Sequence, residues 1–374
     1  MTQYILGTPE DRADIIDFIN FVFSQAHNPH DFKTLIPKVY GDHLPELAAD
    51  HYLAKQDGKI KAAVANRIIN ISAAGTTLKA GLIGSVSVHP YSRGEGHMKQ
   101  LMNMATEESR NNGVDILMLG GQRQRYEYFG FEPGGSCIRF DVTKTNLRHC
   151  FKDVDSSGIT FCPMSNDRPK EIALAKKLYE RRIVHTLRPK ENFVDILHTW
   201  TAKCYVIYKN GSMIGYTYDN FCETELEQES DYPAVLKAGF EALNLDRINL
   251  RLAPYETERA AFLSRICEGF SIHTVELINI LNWKRVLQAS LSIKAATTLL
   301  ADGELTVRID NSTYRIIVAN GTPTVTESNE NPEIIMSHNE AQLAFFGCHT
   351  GLFPDHRLSW LAPLPLYLDA PDAF

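Results

Sequence analysis

The sequence predicts a mixed α+β (α/β) protein with two tandem modules of one kind followed by a smaller α+β module. Three observations carry that prediction. Helical and strand periodicities alternate through residues 1–284. The order hairpin, helix, strand, helix, strand occurs twice within that stretch, which marks a duplicated unit. The texture then changes to short alternating runs separated by Asn311 and Asn320-Gly321, the pattern of antiparallel strands. The modules are expected at residues 1–152, 153–284 and 285–374, and a chain of 374 residues is long enough for two or three well-sealed cores.

Residues 11–26 set Ile15, Ile16, Ile19, Val22 and Phe23 at the three-and-four spacing of an amphipathic helix. Residues 51–54 and 60–68 flank Asp57-Gly58, a pair that accepts the positive φ angles of a tight hairpin. Residues 78–89 read as a further strand ending in a turn with Pro90, Gly94 and Gly96. Met98, Leu101, Met102 and Ala105 then stripe a helix that Asn112-Gly113 stops. Residues 114–119 form an apolar strand, Gly120-Gly121 breaks it, and a short polar-aromatic helix leads to Phe129-Gly130-Phe131. In the second copy, residues 205–208 and 213–218 flank Asn210-Gly211, followed by a helix at 233–243, a strand at 247–252, a helix at 256–266 and a strand at 275–281. The last module starts with a helix near 283–290, continues with strands at 303–310, 313–318 and 322–326, and adds a helix over 338–346. Residues 364–374 are too apolar for a frayed tail.

Composition excludes several classes. Hydrophobic residues at 44% and charged residues at 22% exclude disordered and low-complexity chains. A net charge of −7 argues against a nucleic-acid partner, which wants a basic surface. The acidity is concentrated from Val286 onward, with four Lys/Arg against ten Asp/Glu, so a cationic partner or a solvated acidic face fits there. Seven scattered cysteines without CxxC spacing read as reduced thiols, and the histidines show no metal-ligand spacing, so no metal is expected. The first residues lack a basic region followed by an apolar run, and no stretch reaches the roughly 18–20 apolar residues of a membrane span. The expectation is a cytoplasmic protein.

The chemistry concentrates in Val86-Ser-Val-His-Pro-Tyr-Ser-Arg-Gly-Glu-Gly-His-Met98, a strand, a two-glycine turn and a helix. Glycines let backbone approach a ligand closely, and the first N–H groups of the following helix are unpaired, so a pyrophosphate can bind there. Arg93 and Lys99 would supply counter-charge. Some thirty residues on stands Tyr126-Glu-Tyr-Phe-Gly-Phe131.

Together these two motifs resemble the GNAT superfamily of N-acetyltransferases, whose acyl-CoA loop reads Gln/Arg-x-x-Gly-x-Gly/Ala and whose later helix ends in Tyr-x-x-x-Gly-Phe/Tyr. Gly94 and Gly96 fit the loop, and Tyr91 stands at the place of the usual Gln or Arg. The resemblance implies acetyl-CoA as co-substrate. Val86, Ser87 and Val88 would run beside the pantetheine arm, and the N–H groups of Arg93, Gly94, Glu95, Gly96, His97 and Met98 would hold the pyrophosphate. Tyr126 matches the family tyrosine that protonates the leaving thiolate. Two GNAT-like modules, only the first with the CoA loop, followed by a sterol-carrier-protein-like module, are similar to the enhanced intracellular survival (Eis) family. That similarity implies the carboxylate of Phe374 as general base, and a homo-oligomer built on trimers, often a hexamer. The implied activity is direct acetyl transfer in a ternary complex to a primary amine, aminoglycoside-like, polyamine-like or otherwise cationic. A protein lysine acetyltransferase, and a lipid- or small-molecule-binding protein on a vestigial acyltransferase fold, are the alternatives. The residues alone leave a packing role open for Tyr126 beside Tyr128 and Phe129, and for the tail that ends in Phe374.

Overall fold

Asp57 and Gly58 adopt φ angles of 51° and 74°, so the first hairpin closes with the mirror-image turn that follows the natural strand twist. This hairpin seeds the main sheet of the computed structural model, which describes residues 1–26, 28–350 and 355–374. The strand order is Gln3–Leu6, His51–Gln56, Lys59–Ala73, Thr76–Val88, Ile116–Leu119, Glu276–Ile280 and Glu132–Gly134, with Val184–Thr186 paired to the end of Lys59–Ala73. Pairing is antiparallel except between Thr76–Val88 and Ile116–Leu119, which run parallel. A parallel pair needs a crossover connection, and the helix His97–Asn111 supplies it.

The second module has two separate sheets. Glu223–Leu226, Ser212–Tyr218, Cys204–Lys209 and Ile159–Pro163 form one, and Arg247–Leu252, Cys137–Thr143 and Phe270–His273 form the other. The strand expected at 275–281 exists as Glu276–Ile280, but it does not complete the second copy. It inserts between Ile116–Leu119 and Glu132–Gly134 of the main sheet, with Leu277 opposite Leu119 and Ile278 opposite Met118. In return Cys137–Thr143 leaves the main sheet and pairs with Arg247–Leu252 and Phe270–His273. Strand pairing therefore runs across the 152/153 boundary, because periodicity announces a strand without naming its neighbour. In the last module Thr322–Glu327, Ser312–Ala319 and Gly303–Ile309 are antiparallel, and Ile334–Met336 adds a parallel edge. All seven cysteines are free thiols.

Both faces of the main sheet are covered. Leu101, Met102 and Ala105 of His97–Asn111 pack on Ile83, Leu117, Leu119 and Leu277. On the other face Val286, Leu287 and Leu291 of the helix Trp283–Thr297 share a core with Leu82, Met118, Ile278 and the tail residues Leu364, Leu366 and Leu368. Fully burying such side chains stabilises by about 2 kcal/mol each.

The tail is also held by charge. Arg188, fully buried, donates to Asp372 at 2.8 and 2.9 Å and to Glu223 at 2.7 and 2.8 Å. Arg182 donates to Asp369 at 2.9 Å, and the Tyr179 hydroxyl donates to Asp372 at 3.0 Å. Burial opposes the Arg188 charge, and the two carboxylates outweigh it and hold its pKa well above the usual value. Replacing one partner of a buried ion pair leaves the other charge uncompensated, which costs about 3–5 kcal/mol. Arg188→Ala should lose stability on that scale in urea unfolding, and a loss below about 1 kcal/mol would show that the tail is held by packing alone.

Candidate active site

The parallel strands Thr76–Val88 and Ile116–Leu119 pair only where Ala80, Gly81 and Leu82 face Ile116, Leu117 and Met118. Beyond Leu82 the first strand continues to Val88 with its ladder on the Lys59–Ala73 side alone. Among the described residues no strand pairs with its other edge. A cavity of about 870 Å³ opens there. Val86, Ser87 and Val88 line it from the strand, and Arg93, Gly94, Gly96, His97, Met98 and Lys99 line it from the turn and helix. Gln122, Arg125 and Tyr126 line it from the loop after Ile116–Leu119.

A local kink aims the open edge. Ser85 has φ 47°, and the register with Lys59–Ala73 slips between Ala63 and Ala65, the mark of a β-bulge. The hydroxyl of Ser85 lies 2.6 Å from that of Tyr40, which lies 2.9 Å from His51 Nε2. His51 Nδ1 is 3.1 Å from the Leu47 carbonyl, which can only accept, so Nδ1 carries the proton and Nε2 accepts from Tyr40. Burial lowers the pKa of His51 to about 4, so the neutral ring that this pattern requires persists at neutral pH.

Gly94 and Gly96 have φ angles of 87° and 81°, a region that side-chain-bearing residues rarely adopt, and nothing stands within 4 Å of where a Cβ would project. Gly96 caps His97–Asn111, whose first N–H groups lack helical partners. The His97 side chain is buried between the Tyr4 hydroxyl at 2.9 Å and the Glu95 carboxylate at 3.0 Å. Glu95 is thereby turned onto His97 and does not line the cavity. The resulting rim carries Arg93, Lys99 and Arg125, a charge set suited to phosphates.

Tyr126 ends the short helix Arg123–Tyr126, on the helix side of the sheet. Its ring approaches to 2.6 Å of the position a Cβ would take on Gly121, so only glycine fits there. The residue is 8% exposed, and among the described residues its hydroxyl has no hydrogen-bond partner. Burial raises its pKa, which keeps the phenol protonated.

Phe374 does not line the cavity. Its ring lies against Gly84, where a Cβ would come within 2.0 Å of it. Leu82 faces the last module and Ile83 faces the helix, so Gly84 and the Phe374 ring lie on the last-module side. Tyr126 and Phe374 thus flank the open edge from opposite faces. Lys38, buried, fixes the tail by donating to the carbonyls of Pro371, at 2.6 Å, and Ala373. Burial brings the Lys38 pKa down to about 7.

A second carboxyl shares the Phe374 face. Glu276 stands two residues before Ile278, and its Oε2 comes within 3.4 Å of where a Cβ of Gly120 would be. Among the described residues it has no partner, and burial raises its pKa to about 7. Nothing in the local sequence marks Lys38, Arg125 or Glu276 as site residues. Gly84 does carry a signal, since glycine inside an apolar strand marks a close approach. A carboxyl whose pKa is raised on folding contributes stability that is present below about pH 4.5 and is lost as pH rises through about 7. Glu276→Gln should therefore shrink the drop in unfolding free energy between pH 5 and pH 8, and an unchanged drop would contradict the half-buried, unpaired state.

Among the described residues no group of three His, Cys, Asp or Glu is placed to hold a metal ion, and no helix is long and apolar enough to cross a membrane. A family model described as an acetyltransferase (GNAT) domain matches residues 3–134. Among solved structures, a probable N-acyltransferase from Enterococcus faecalis, called a conserved protein of unknown function, shares 14% identity over 98% of each chain with a TM-score of 0.68. A GCN5-related N-acetyltransferase from Anabaena variabilis shares 15% identity over 100% of each chain, also at 0.68. Eis1 from Mycobacterium abscessus shares 14% identity over 91% of this chain and 88% of its own, at 0.60. At these identities the likeness is one of fold, and it runs through all three modules. No curated protein matches the chain. Residues 3–134, which match the GNAT acetyltransferase domain, hold the glycine turn, the open strand edge and Tyr126.

Proposed function

We propose that the chain transfers the acetyl group of acetyl-CoA to a cationic primary amine by direct attack in a ternary complex. The observation that carries this reading is the open edge of residues 83–88, bordered by the glycine turn on one side and by a buried, unpartnered phenol on the other. The pantetheine amides would take the ladder positions left free by Val86 and Val88, with Ser87 between them lining the cavity. The N–H groups from Arg93 to Met98, with Arg93, Lys99 and Arg125, would hold the phosphates.

Attack of a neutral amine on the thioester carbon forms the C–N bond and expels the CoA thiolate. Tyr126 then supplies the proton to sulfur. With thiol pKa values near 8.5 and phenols near 10, full transfer is uphill by about 2 kcal/mol. Burial raises Tyr126 further, so the phenol acts within the transition state, as charge develops on sulfur, and regains its proton through water as the new amide nitrogen sheds its second proton. The attacking ammonium first loses a proton, a step assigned to the Phe374 carboxylate through water. Two features support that assignment and a cationic acceptor. Lys38 and the Gly84 contact fix the end of the tail beside the open edge, and the unpaired Glu276 carboxyl lies on the same face.

The sheet Gly303–Ile309, Ser312–Ala319 and Thr322–Glu327 beneath Trp283–Thr297 supports a sterol-carrier-protein-like reading of the last module. The edge strand Phe270–His273, with Phe270 and Ile272 exposed, supports self-association.

Thiol release from acetyl-CoA with a panel of aminoglycosides, polyamines and lysine peptides tests the reading. Turnover with small polycations is the expected result, and turnover with the peptides alone would transfer the assignment to protein acetylation. Tyr126→Phe should lower kcat by about 100-fold or more with acetyl-CoA affinity retained, and undiminished turnover would remove the acid role. One residue added after Phe374 should likewise cut kcat, whereas a tag before Met1 should not.

A further inference from the structure

The Tyr126 turn is tied to the last module by hydrogen bonds that all point one way. We propose that Trp283, His338 and Asn279 are positioning residues, which set where the Tyr126 hydroxyl stands during transfer. The proposal rests on the reading of Tyr126 as the acid.

An indole N–H can only donate. Trp283 Nε1 lies 3.2 Å from His338 Nδ1, so that nitrogen accepts. A neutral imidazole accepting at Nδ1 carries its proton on Nε2, which lies 3.1 Å from Asn279 Oδ1. With its oxygen occupied, Asn279 presents its NH₂ to the Phe129 carbonyl at 2.9 Å. Each link thus fixes the donor sense of the next. Burial lowers the His338 pKa, which favours the neutral ring this order requires.

A second tie holds the next peptide. Gln342 donates from Nε2 to the Gly130 carbonyl at 2.9 Å and accepts the Ile280 N–H at 2.9 Å. Gly130 has φ 83°, and a Cβ there would stand 3.2 Å from Asn279 Nδ2, so glycine admits the amide. The carbonyl of Tyr126 itself accepts from Phe131 N–H at 3.3 Å, within the same turn. A third tie reaches the other end of the helix that carries Tyr126. Asn339 donates to one Glu132 oxygen at 3.0 Å, and Arg123 donates to the other at 2.8 Å.

Asn279 and Gln342 are 2% and 0% exposed, and Asn279 shares its face of the strand with the buried Leu277. Leu or Met would cover that face equally well, and buried amides cost free energy unless every partner is met. What the amides add is a fixed geometry for consecutive carbonyls, three and four residues beyond Tyr126. A displacement of about 1 Å at a reacting group can cost about 100-fold in rate.

A double-mutant cycle tests this. Asn279→Ala should lower kcat about 10-fold or more while KM for acetyl-CoA changes less than about 2-fold. In a Tyr126→Phe background the same substitution should change kcat by less than about 2-fold, because the group it positions is gone. Hydrogen exchange at the Gly130 and Phe131 amides should speed up in Asn279→Ala. Equal losses in both backgrounds would overturn the proposal, since a purely structural role is additive. If Tyr126→Phe turned over like the wild type, the acid reading would fall, and the exchange rates would still report whether the chain of bonds holds the turn. Should Asn279→Ala not fold, His338→Gln and His338→Leu replace it. Gln can accept from Trp283 and donate to Asn279, so it should keep most of the activity that Leu loses, and equal activity of the two would contradict the proposal.

Discussion

The strand Thr76–Val88 outruns its parallel neighbour after Leu82, and the backbone groups on that edge must find another partner. A dry, unmet donor or acceptor costs about 1–3 kcal/mol, so an edge several residues long persists only beside water or an extended ligand rich in amides. Much of the site is built around this gap. The bulge at Ser85 bends the strand into it, the Gly94 and Gly96 turn closes one end, and Gly121 lets the Tyr126 ring lean over the other.

The gap survives because its surroundings are rigid. The modules exchange strands, Glu276–Ile280 entering the main sheet and Cys137–Thr143 pairing with Arg247–Leu252 and Phe270–His273, so opening one module would strip hydrogen bonds from the other. The last module then roofs one face of the main sheet, and its tail threads back to Gly84. Burying Arg188 with two carboxylates is not in itself a source of stability, since desolvation offsets most of the Coulomb gain. Its effect is specificity, because the tail has one position in which Asp369, Asp372 and the carbonyls taken by Lys38 are all matched.

The parts of this arrangement legible in sequence are those that local chemistry dictates. The Asp57-Gly58 and Asn210-Gly211 hairpins, the helix stripe of Leu101, Met102 and Ala105, and the glycine turn each follow from the φ angles or periodicity their residues allow. The expected helix at 283–290 runs on to Thr297, and Leu291 and Ile293 of its later turns are buried. The partner of Glu276–Ile280 was not legible, since periodicity announces a strand without naming its neighbour. The same holds for Arg188 with Asp372 and for Asn279 with His338. Such pairs are set by tertiary packing over long sequence separations and leave no local trace. The sequence points to Glu95 for its backbone N–H alone, and its side chain turns onto the buried His97 ring.

In the proposed function the open edge and Tyr126 form one acyl-transfer site. A crystal structure with acetyl-CoA tests it most directly. The expected result is pantetheine amides in hydrogen bonds with the backbone of Val86 and Val88, and the thioester sulfur within direct or one-water reach of the Tyr126 hydroxyl. Acetyl-CoA bound away from the edge, or a sulfur beyond one-water reach of that hydroxyl, would contradict it.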